Sequence, residues 1–336
     1  MKTRATLCLA VMAVLTFPLT LAVHAKDVHI GMSTALVDTN PVAVWVRKLE
    51  EELLSRGIAS RVFPGSTLGS EIERAEQVIL GLLHINLSNG QDAMHYSPLL
   101  RSLRMPFVFR SPEEVDCLAH GTEFLERVNH STRPRGIEVV DVVQVGGMSA
   151  LFTTQGPVDS MQFLRSRRIR AMDRIQLVTI ESWGASSVQV AWEEVTTALQ
   201  TSVADSYLNP PGIPLDWKHT RHLRHMLSLN IFPGIRFVTV SSKWFRGLSE
   251  TQRSAIHAAF QAARAANRHF AHLSAEQDLR ALRDEGVHVN LPDEAFRDQM
   301  TQSVASVYDE FIARKTMAEV QILLQSKCRV NARTDP

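Results

Sequence analysis

The stretch that decides the fold is VHIGMSTALVDTNPVAVWVRKLEEELLSRGIASRVF, residues 28–63. Its first five residues alternate in the manner of a β-strand, and the apolar positions are Val28, Ile30 and Met32. Asn40 and Pro41 then provide a helix cap and a first-turn proline. Apolar residues recur at helical spacing from there to Leu53, and a second strand ends the stretch. This order of strand, helix and strand predicts an α/β layer with a largely parallel sheet.

The same alternation continues along the chain. A capping box at 70–73 predicts a helix whose inward face includes Ile72. A second capping box at 249–252 begins a helical pattern that runs to residue 284. A helix of this length is unusual in a globular domain, and it is long enough to join two lobes. Further strands are predicted at 84–87, 137–145, 151–154, 168–172, 203–208, 235–240 and 286–291.

The N-terminus has the pattern of a secretory signal. Lys2 and Arg4 precede an apolar run over 7–23, and Ala25 provides a small residue for cleavage. The run contains Pro18 and is shorter than the roughly 20 residues that a membrane span needs. We therefore predict that residues 1–25 are a signal peptide and that the mature protein is secreted.

The charge of the mature chain bounds its partners. The full chain has 36 basic and 35 acidic residues, a net charge of +1, and Lys2 and Arg4 are the only charged residues in 1–25. Cleavage therefore leaves 34 basic and 35 acidic residues, a net charge of −1. A balanced charge argues against a nucleic-acid partner, because such a partner requires a basic surface.

Two cysteines, Cys117 and Cys328, remain in the mature chain. In an oxidising compartment they can pair as a disulfide. Their wide separation is equally consistent with one buried thiol and one thiol in the C-terminal tail. The sequence leaves this choice open.

Motifs that carry catalysis or bind metals are incomplete in this chain. The glycine-rich segment 65–70 lacks the lysine of a phosphate loop, and 147–151 lacks the closing glycine of a nucleophile elbow. His219, His222 and His225 have no acidic or cysteine neighbour, and we interpret them as a solvated helix face. We predict no catalytic residue, no metal site and no cofactor, which favours binding over catalysis.

Five segments resemble, in order, the solute-binding proteins of tripartite ATP-independent periplasmic (TRAP) transporters, the DctP-like family. The segments lie at 65–81, 105–109, 168–172, 190–210 and 242–252, and the similarity extends from about 28 to 315. Each motif is weak alone, and their order and spacing together are specific.

The resemblance implies a two-lobed α/β binding protein with a hinge and a long helix that spans both lobes. The lobes would be discontinuous, 26–147 with 236–275 and 148–235 with 276–336. The ligand would be a small organic acid, captured in the cleft in the periplasm and delivered to membrane permease subunits. The protein would not be an enzyme.

The resemblance also assigns site residues in the second lobe. Arg170 occupies the position that holds a ligand carboxylate, which suits a planar guanidinium fork. Asn209 matches an asparagine that hydrogen-bonds near the same carboxylate, and Trp192 occupies an aromatic position beside the carbon skeleton. From the residues alone, Arg170 can equally be a solvated member of the arginine run at 165–170, Asn209 a turn residue and Trp192 a core residue.

Ser33 and Asn89 of the first lobe follow predicted strands, where the family draws polar contacts to the ligand. The chain departs from the family at Ala150, where many members have a second cleft arginine. Arg236, at a position that is usually apolar, is a candidate replacement.

Two rival functions stay open at this point. The first is a sensory binding protein of the same fold, which would present its closed form to a signalling receptor. The second is a secreted enzyme that acts on a small acid with a carboxylate or histidine. The sequence does not identify the ligand or the oligomeric state.

Overall fold

The computed structural model describes residues 27–65 and 67–329, and the predicted signal peptide lies outside them. The strands are β1 (Val28–Met32), β2 (Ser60–Phe63), β3 (Ile85–Ser88), β4 (Ile137–Met148), β5 (Ala150–Thr153), β6 (Arg168–Ala171), β7 (Ser186–Gln189), β8 (Ser206–Asn209), β9 (His225–Leu227), β10 (Pro233–Ser241) and β11 (His288–Asn290). The first helices are α1 (Pro41–Ser55), α2 (Glu71–Leu80), α3 (Gln91–Tyr96), α4 (Pro98–Arg101), α5 (Pro112–His120), α6 (Phe124–Thr132), α7 (Met161–Arg165) and α8 (Arg174–Ser182). The later ones are α9 (Val195–Gln200), α10 (Gly212–Asp216), α11 (Ser242–Gly247), α12 (Glu250–Asp284), α13 (Glu294–Ser303), α14 (Ala305–Phe311) and α15 (Arg314–Leu323), and a π-helical turn follows at Leu324–Cys328.

Helix α1 forms as its sequence predicts. The Asn40 side chain accepts a hydrogen bond from the Val42 backbone N–H at 2.9 Å, which satisfies one free donor of the first turn. The predicted apolar stripe is fully buried against the first sheet and α12. The buried members of that stripe are Val42, Trp45, Leu49 and Leu53.

Helix α2 begins at the predicted capping box, in which Ser70 and Glu73 bond each other's backbone N–H groups. The prediction that Ile72 faces inward is wrong, because its side chain is 70% exposed. The buried face consists instead of Arg74, Ala75 and Val78. An arginine occupies this face because its guanidinium finds hydrogen-bond partners there.

The strands form two sheets. The first has the order β2-β1-β3-β10-β4, and the second has the order β11-β9-β5-β8-β6-β7. The predicted parallel pairing is confirmed for β1, β2 and β3, and it recurs between β6 and its neighbours β7 and β8 and between β9 and β11. It does not extend through either sheet, since β10 runs antiparallel to β3 and β4, and β5 runs antiparallel to β8 and β9. The reason lies in the connections. The chain passes almost directly from β4 to β5 in the other sheet and returns as β10, so both sheets are mixed.

The predicted long helix is confirmed as α12, which begins at the Ser249 capping box. It packs on α1 and β4 of the first sheet and, further along, on α10 and β11 beside the second sheet. The Asn267 side chain fixes the first contact. It accepts from Gln144 N at 3.0 Å and donates to the carbonyl oxygens of Pro41 and Gln144 at 2.8 and 2.9 Å. One helix therefore contacts both halves of the molecule.

Cys117 on α5 and Cys328 in the terminal π-helical turn form a disulfide. Beside it, Arg329 contacts both carboxylate oxygens of Glu114 at 2.9 Å. The pairing that the sequence left open is thus made in the structure, and it fastens the end of the chain to α5.

None of the helices in the described ranges combines the length and the apolar character needed to cross a membrane.

Candidate functional site

A cavity of about 260 Å³ lies between the two sheets. The first sheet contributes the ends of β1 and β3, the start of α2 and the first four residues of β10. The second sheet contributes β6, β8 and the segment before α9. All six residues predicted from the sequence line this cavity: Ser33, Asn89, Arg170, Trp192, Asn209 and Arg236. The structure therefore brings together side chains that are more than 200 positions apart, while their roles toward a ligand stay predictions.

Arg170 lies in β6, with Ile169 directed into the core on the other face. Its side chain is 4% exposed, and its Nε donates to the carbonyl oxygen of Val190 at 3.0 Å. No described carboxylate lies within ion-pair distance of it. Burial, with a smaller effect from Arg236, lowers the pKa of Arg170 to about 10, so the group is still cationic at neutral pH.

Trp192 forms the aromatic wall beside Arg170, whose guanidinium carbon lies 5.6 Å from the ring centre. This distance is within the range of a cation–π contact. The ring of Trp217 meets Trp192 edge-on at 5.2 Å, and His219 packs behind it at 5.9 Å. Packing against Trp217 and His219 therefore holds the Trp192 ring in place.

The interpretation of His219, His222 and His225 as a solvated helix face is wrong. His219 is 1% exposed in a 3₁₀ turn, and His225 lies in β9. Aromatic neighbours bury the imidazole of His219, and Thr196 Oγ1 lies 3.0 Å from its Nε2. The regular spacing of the three histidines suggested a single helix, but His219 lies in a turn and His225 begins a strand.

Acidification should destabilise the protein through His219. Burial, with a smaller effect from His222, lowers the pKa of His219 to about 4. The ordinary pKa is about 6.5, so the unfolded chain takes up the proton first, and stability is lost as the pH falls below about 6.5. By pH 5 the expected loss is about 2 kcal/mol. Thermal melts of the wild type and of His219→Gln from pH 7.5 to 5 measure it, with the exposed His272→Gln as control. Parallel declines in all three proteins would contradict the assignment.

Five buried polar atoms on the cavity wall have no hydrogen-bond partner within the described protein. They are Thr34 Oγ1, Asn89 Oδ1, Arg104 Nε, Asn209 Nδ2 and Arg236 Nε. A buried polar group without a partner costs about 1–3 kcal/mol, so such atoms are few in folded proteins. Their concentration on one surface marks the cavity as a binding site for a polar molecule.

The loop that carries Asn89 is held by its neighbour. Gly90 has a φ of +73°, and a Cβ there would stand 2.4 Å from the ring of Phe237. Only glycine fits this combination of backbone conformation and close approach. The turn directs Asn89 into the cavity from the end of β3.

Ser33 lines the cavity, but its hydroxyl is already engaged. It donates to Glu71 Oε1 at 2.6 Å and accepts from Arg74 Nη2 at 2.7 Å. Arg74 also donates to Asn86 Oδ1 at 3.2 Å and to the Gly69 carbonyl at 2.6 Å. Sequence reasoning missed Arg74, although a charged residue on the buried face of an amphipathic helix is a detectable signal.

Arg104 is a second residue that sequence reasoning missed. It is 3% exposed and forms a buried ion pair with Asp173 at 2.9 Å. Asp173 is the N-cap of α8, just after the strand that carries Arg170. Arg104 lies in the segment after α4, and Asp173 follows β6 of the second sheet. The ion pair therefore joins that segment to the second sheet. Its partner lies 69 positions away, which no local pattern reveals.

Ala150 lies in β5, directly opposite Asn209 in β8. It is 1% exposed and belongs to the core. The site of the missing family arginine is therefore closed by a methyl group. Arg236 approaches the cavity from the other sheet, on β10.

A comparison with protein families matches residues 37–315 to the model for bacterial extracellular solute-binding protein, family 7, also called DctP. This match covers most of the chain. The chain belongs to this family. Proteins of this family are the periplasmic solute-binding components of TRAP transporters.

Among curated relatives of this DctP chain is the 2,3-diketo-L-gulonate-binding periplasmic protein YiaO of Escherichia coli (strain K12). It is 21% identical over 295 residues, which cover 86% of this chain and 89% of YiaO. The solute-binding protein RD1_1052 of Roseobacter denitrificans is 27% identical over 199 residues, and that match spans 56% of this chain and 58% of the relative.

Solved structures of TRAP solute-binding proteins share the two-lobed fold. The protein of Shewanella oneidensis with bound succinate superposes with a TM-score of 0.80 at 18% identity, over 89% of this chain and 99% of that one. Other structural neighbours were solved with glucuronate, galacturonate or erythronate bound. Within the residues that the structure describes, no group of three or more histidine, cysteine or acidic side chains is arranged to hold a metal ion.

Proposed function

We propose that this protein captures a small organic acid in the periplasm and delivers it to the membrane permease subunits of a TRAP transporter. The observation that carries the proposal is Arg170, a buried guanidinium that faces the cavity and has no described carboxylate within ion-pair distance. Burying a cation without an ion-pair partner is costly, and an acid in the cavity would offset that cost.

The other cavity residues give the acid a definite orientation. Asn209 has an unsatisfied amide nitrogen on the same wall as Arg170 and supplies a hydrogen bond to the carboxylate. Trp192 covers the carbon skeleton. Asn89 and Thr34 face the acid from the first sheet with polar atoms that have no protein partner. Ser33 contributes by fixing Glu71 and Arg74, with which it is already bonded.

Closure of two lobes around the acid would couple binding to conformation. We assign 26–147 with 236–275 to the first lobe and 148–235 with 276–336 to the second. The assignment is supported by the sheets, because the chain leaves the first sheet after β4 and re-enters it at β10. The permease subunits would recognise and bind the closed form. Residues 1–25 would direct the protein to the periplasm.

A ligand screen tests the function. We expect the mature protein, unfolded and refolded to remove co-purified ligand, to be stabilised by at least one small organic acid. At a hundred times the dissociation constant the gain is about 2.7 kcal/mol. Since each kcal/mol raises the melting temperature by roughly 2–4 °C, the shift should be roughly 5–10 °C.

The screen also separates the rival functions. The acid recovered after incubation should be chemically unchanged, and turnover would favour the secreted enzyme instead. The acid-loaded protein should drive uptake in vesicles that contain the permease subunits. Binding without such uptake would favour the sensory protein. A folded protein that responds to no acid would contradict the proposal.

A further inference from the structure

Three glycines lie where the chain crosses between the two sheets. Gly146 and Gly147 are near the end of β4, and Gly234 is the second residue of β10. The ladder between these strands is irregular here, because Gly234 alone stands opposite three residues of β4, 145–147. An interrupted ladder with residues that lack a Cβ lets the backbone bend. The glycines also lie beside the lobe boundaries proposed above, which makes this bulge a candidate hinge.

The ring of Pro210 fills the space beside these glycines. Pro210 is buried and directly follows Asn209, the last residue of β8. A Cβ added at Gly234 would stand 2.4 Å from Pro210 Cγ and 2.7 Å from the carbonyl oxygen of Gly147. A Cβ added at Gly146 would stand 3.2 Å from Pro210 Cβ. Carbon atoms that are not bonded to each other pack at about 3.5–4.0 Å. A side chain at Gly234 therefore has no room while the proline ring is in this position.

The segment after Pro210 joins the second lobe to the first. The carbonyl oxygen of Pro210 accepts a hydrogen bond from Ile213 N at 3.2 Å, at the start of α10. Ile213 is buried and packs with the apolar core formed by the first sheet, α1 and α12. Asp216, at the end of α10, accepts a hydrogen bond from Thr39 Oγ1 of the first lobe at 2.9 Å. The structure thus describes the two lobes in contact, with Pro210 between the hinge and the contact.

We propose that Pro210 is a stop that sets how far the two lobes close, and that the bare backbone at Gly146 and Gly234 receives its ring. Pro210 and Gly234 are then positioning residues. Asn209 directly precedes the stop, so the closing angle fixes where its amide stands relative to Asn89 of the first lobe. The inference rests on the lobe closure of the proposed function, and it names the contact that ends the movement.

The chemistry of the two residue types suits these roles. The proline ring fixes its own backbone φ near −65°, so it does not rotate out of the way as a flexible side chain does. Glycine lets another group approach the backbone closely. A methyl group at Gly234 would meet the ring before the lobes reach the observed arrangement. When the lobes open, the ring of Pro210 moves away and the same methyl group has room.

A trapping experiment measures closure in the ligand-free protein. Thr39→Cys and Asp216→Cys place two thiols at the hydrogen bond between the lobes, where a short bifunctional methanethiosulfonate joins them when the lobes are closed. The native cysteines, Cys117 and Cys328, do not react because they are bonded to each other. Intact-mass spectrometry follows the rate of trapping, and a monofunctional reagent verifies that both new thiols are equally reactive in every variant.

Three variants locate the stop in this background. Gly234→Ala should slow trapping at least about 10-fold, because the closed state would have to hold a methyl group in filled space. Gly147→Ala adds the same methyl group to the same bulge, where no atom of the described chain beyond its neighbours lies within 4 Å of the Cβ. Its trapping rate should stay within about 2-fold of the wild type. Adding Pro210→Ala to Gly234→Ala removes the Cγ atom at 2.4 Å and should restore most of the rate.

Pro210→Ala alone tests the stop even if Gly234→Ala does not fold. Spin labels at Ile72 of α2 and Gln189 of β7, both exposed, report the distance between the lobes. Without the ring, the distance distribution should extend to shorter values than the wild type reaches. An unchanged lower limit of the distance would overturn the stop. Circular dichroism and the melting temperature verify the fold of each variant.

The other outcomes also decide the inference. Equal trapping rates for Gly234→Ala and Gly147→Ala overturn the stop. Slow trapping of Gly234→Ala that Pro210→Ala does not restore also overturns it, because the effect would then lie at the Gly147 carbonyl inside the bulge. A wild-type background that is never trapped overturns the closing contact together with the stop. If the trapping pattern holds and no acid binds the folded protein, the proposed function fails and the stop stands.

Discussion

Replacing Arg170 with alanine should weaken binding of the acid by about 3–5 kcal/mol, or at least 100-fold in dissociation constant. The loss is large because the carboxylate would still enter a cavity between two sheets, where water compensates poorly for the missing guanidinium. The loss should appear mainly as faster dissociation, since truncating a buried charged partner acts on the off-rate. Isothermal titration and stopped-flow tryptophan fluorescence measure the two quantities, with Trp192 and Trp217 as reporters on the cavity wall.

The chain offers a matched control two residues away. Arg168 lies on the same strand and is exposed, so Arg168→Ala removes the same charge without touching the cavity. Its affinity should stay within about 3-fold of the wild type, because exposed charges contribute little. Arg170→Lys keeps the charge and loses the planar fork, and we expect an intermediate loss. Equal affinities for Arg170→Ala and Arg168→Ala would remove Arg170 from the site.

Local signals in the sequence predicted the elements of the fold well. The caps at Asn40, Ser70 and Ser249 act within three residues of themselves, and each begins a helix where predicted. Strand direction was predicted correctly for β1, β2 and β3 but not for β10, because direction depends on where a strand pairs. No local pattern in residues 235–240 shows that β10 lies between β3 and β4 and pairs antiparallel with both.

Residue-level errors have the same origin. Ile72 has the right character for a core position, but Arg74 takes the buried face because Asn86, Gly69 and Ser33 lie where its guanidinium can bond them. Periodicity cannot reveal these partners. The position of His219 likewise depends on Tyr207 and Trp192, which arrive from other elements.

The candidate site could be predicted only through the family resemblance. From the residues alone Arg170 is one of four neighbouring arginines, and the structure separates it from Arg168 by burial. The resemblance located six residues that line one cavity, and it had no pattern for Arg104 or Arg74. The positions of those two depend on pairings between distant residues, Arg104 with Asp173 and Arg74 with Ser33.

Removing the disulfide should lower the free energy of unfolding by about 4 kcal/mol and the melting temperature by roughly 10 °C. Cys117 and Cys328 are separated by 211 positions, so the crosslink strongly restricts the unfolded chain. The loop-entropy relation gives about 5 kcal/mol for such a loop, and native disulfides typically contribute about 2–5 kcal/mol. Thermal melts of the Cys117→Ser/Cys328→Ser variant and of the wild type with and without reductant measure the effect.

The reduced segment should stay in place at low temperature, because Leu324 is fully buried and Arg329 holds both oxygens of Glu114. Neither cysteine lines the cavity, so the variant should bind the acid as the wild type does wherever it is folded. The double variant should also be insensitive to reductant. A wild type that keeps its melting temperature after thiol titration shows both cysteines reduced would contradict the prediction. A parallel loss of affinity and stability would instead mean that the C-terminal segment supports the cavity, which its position on α5 does not favour.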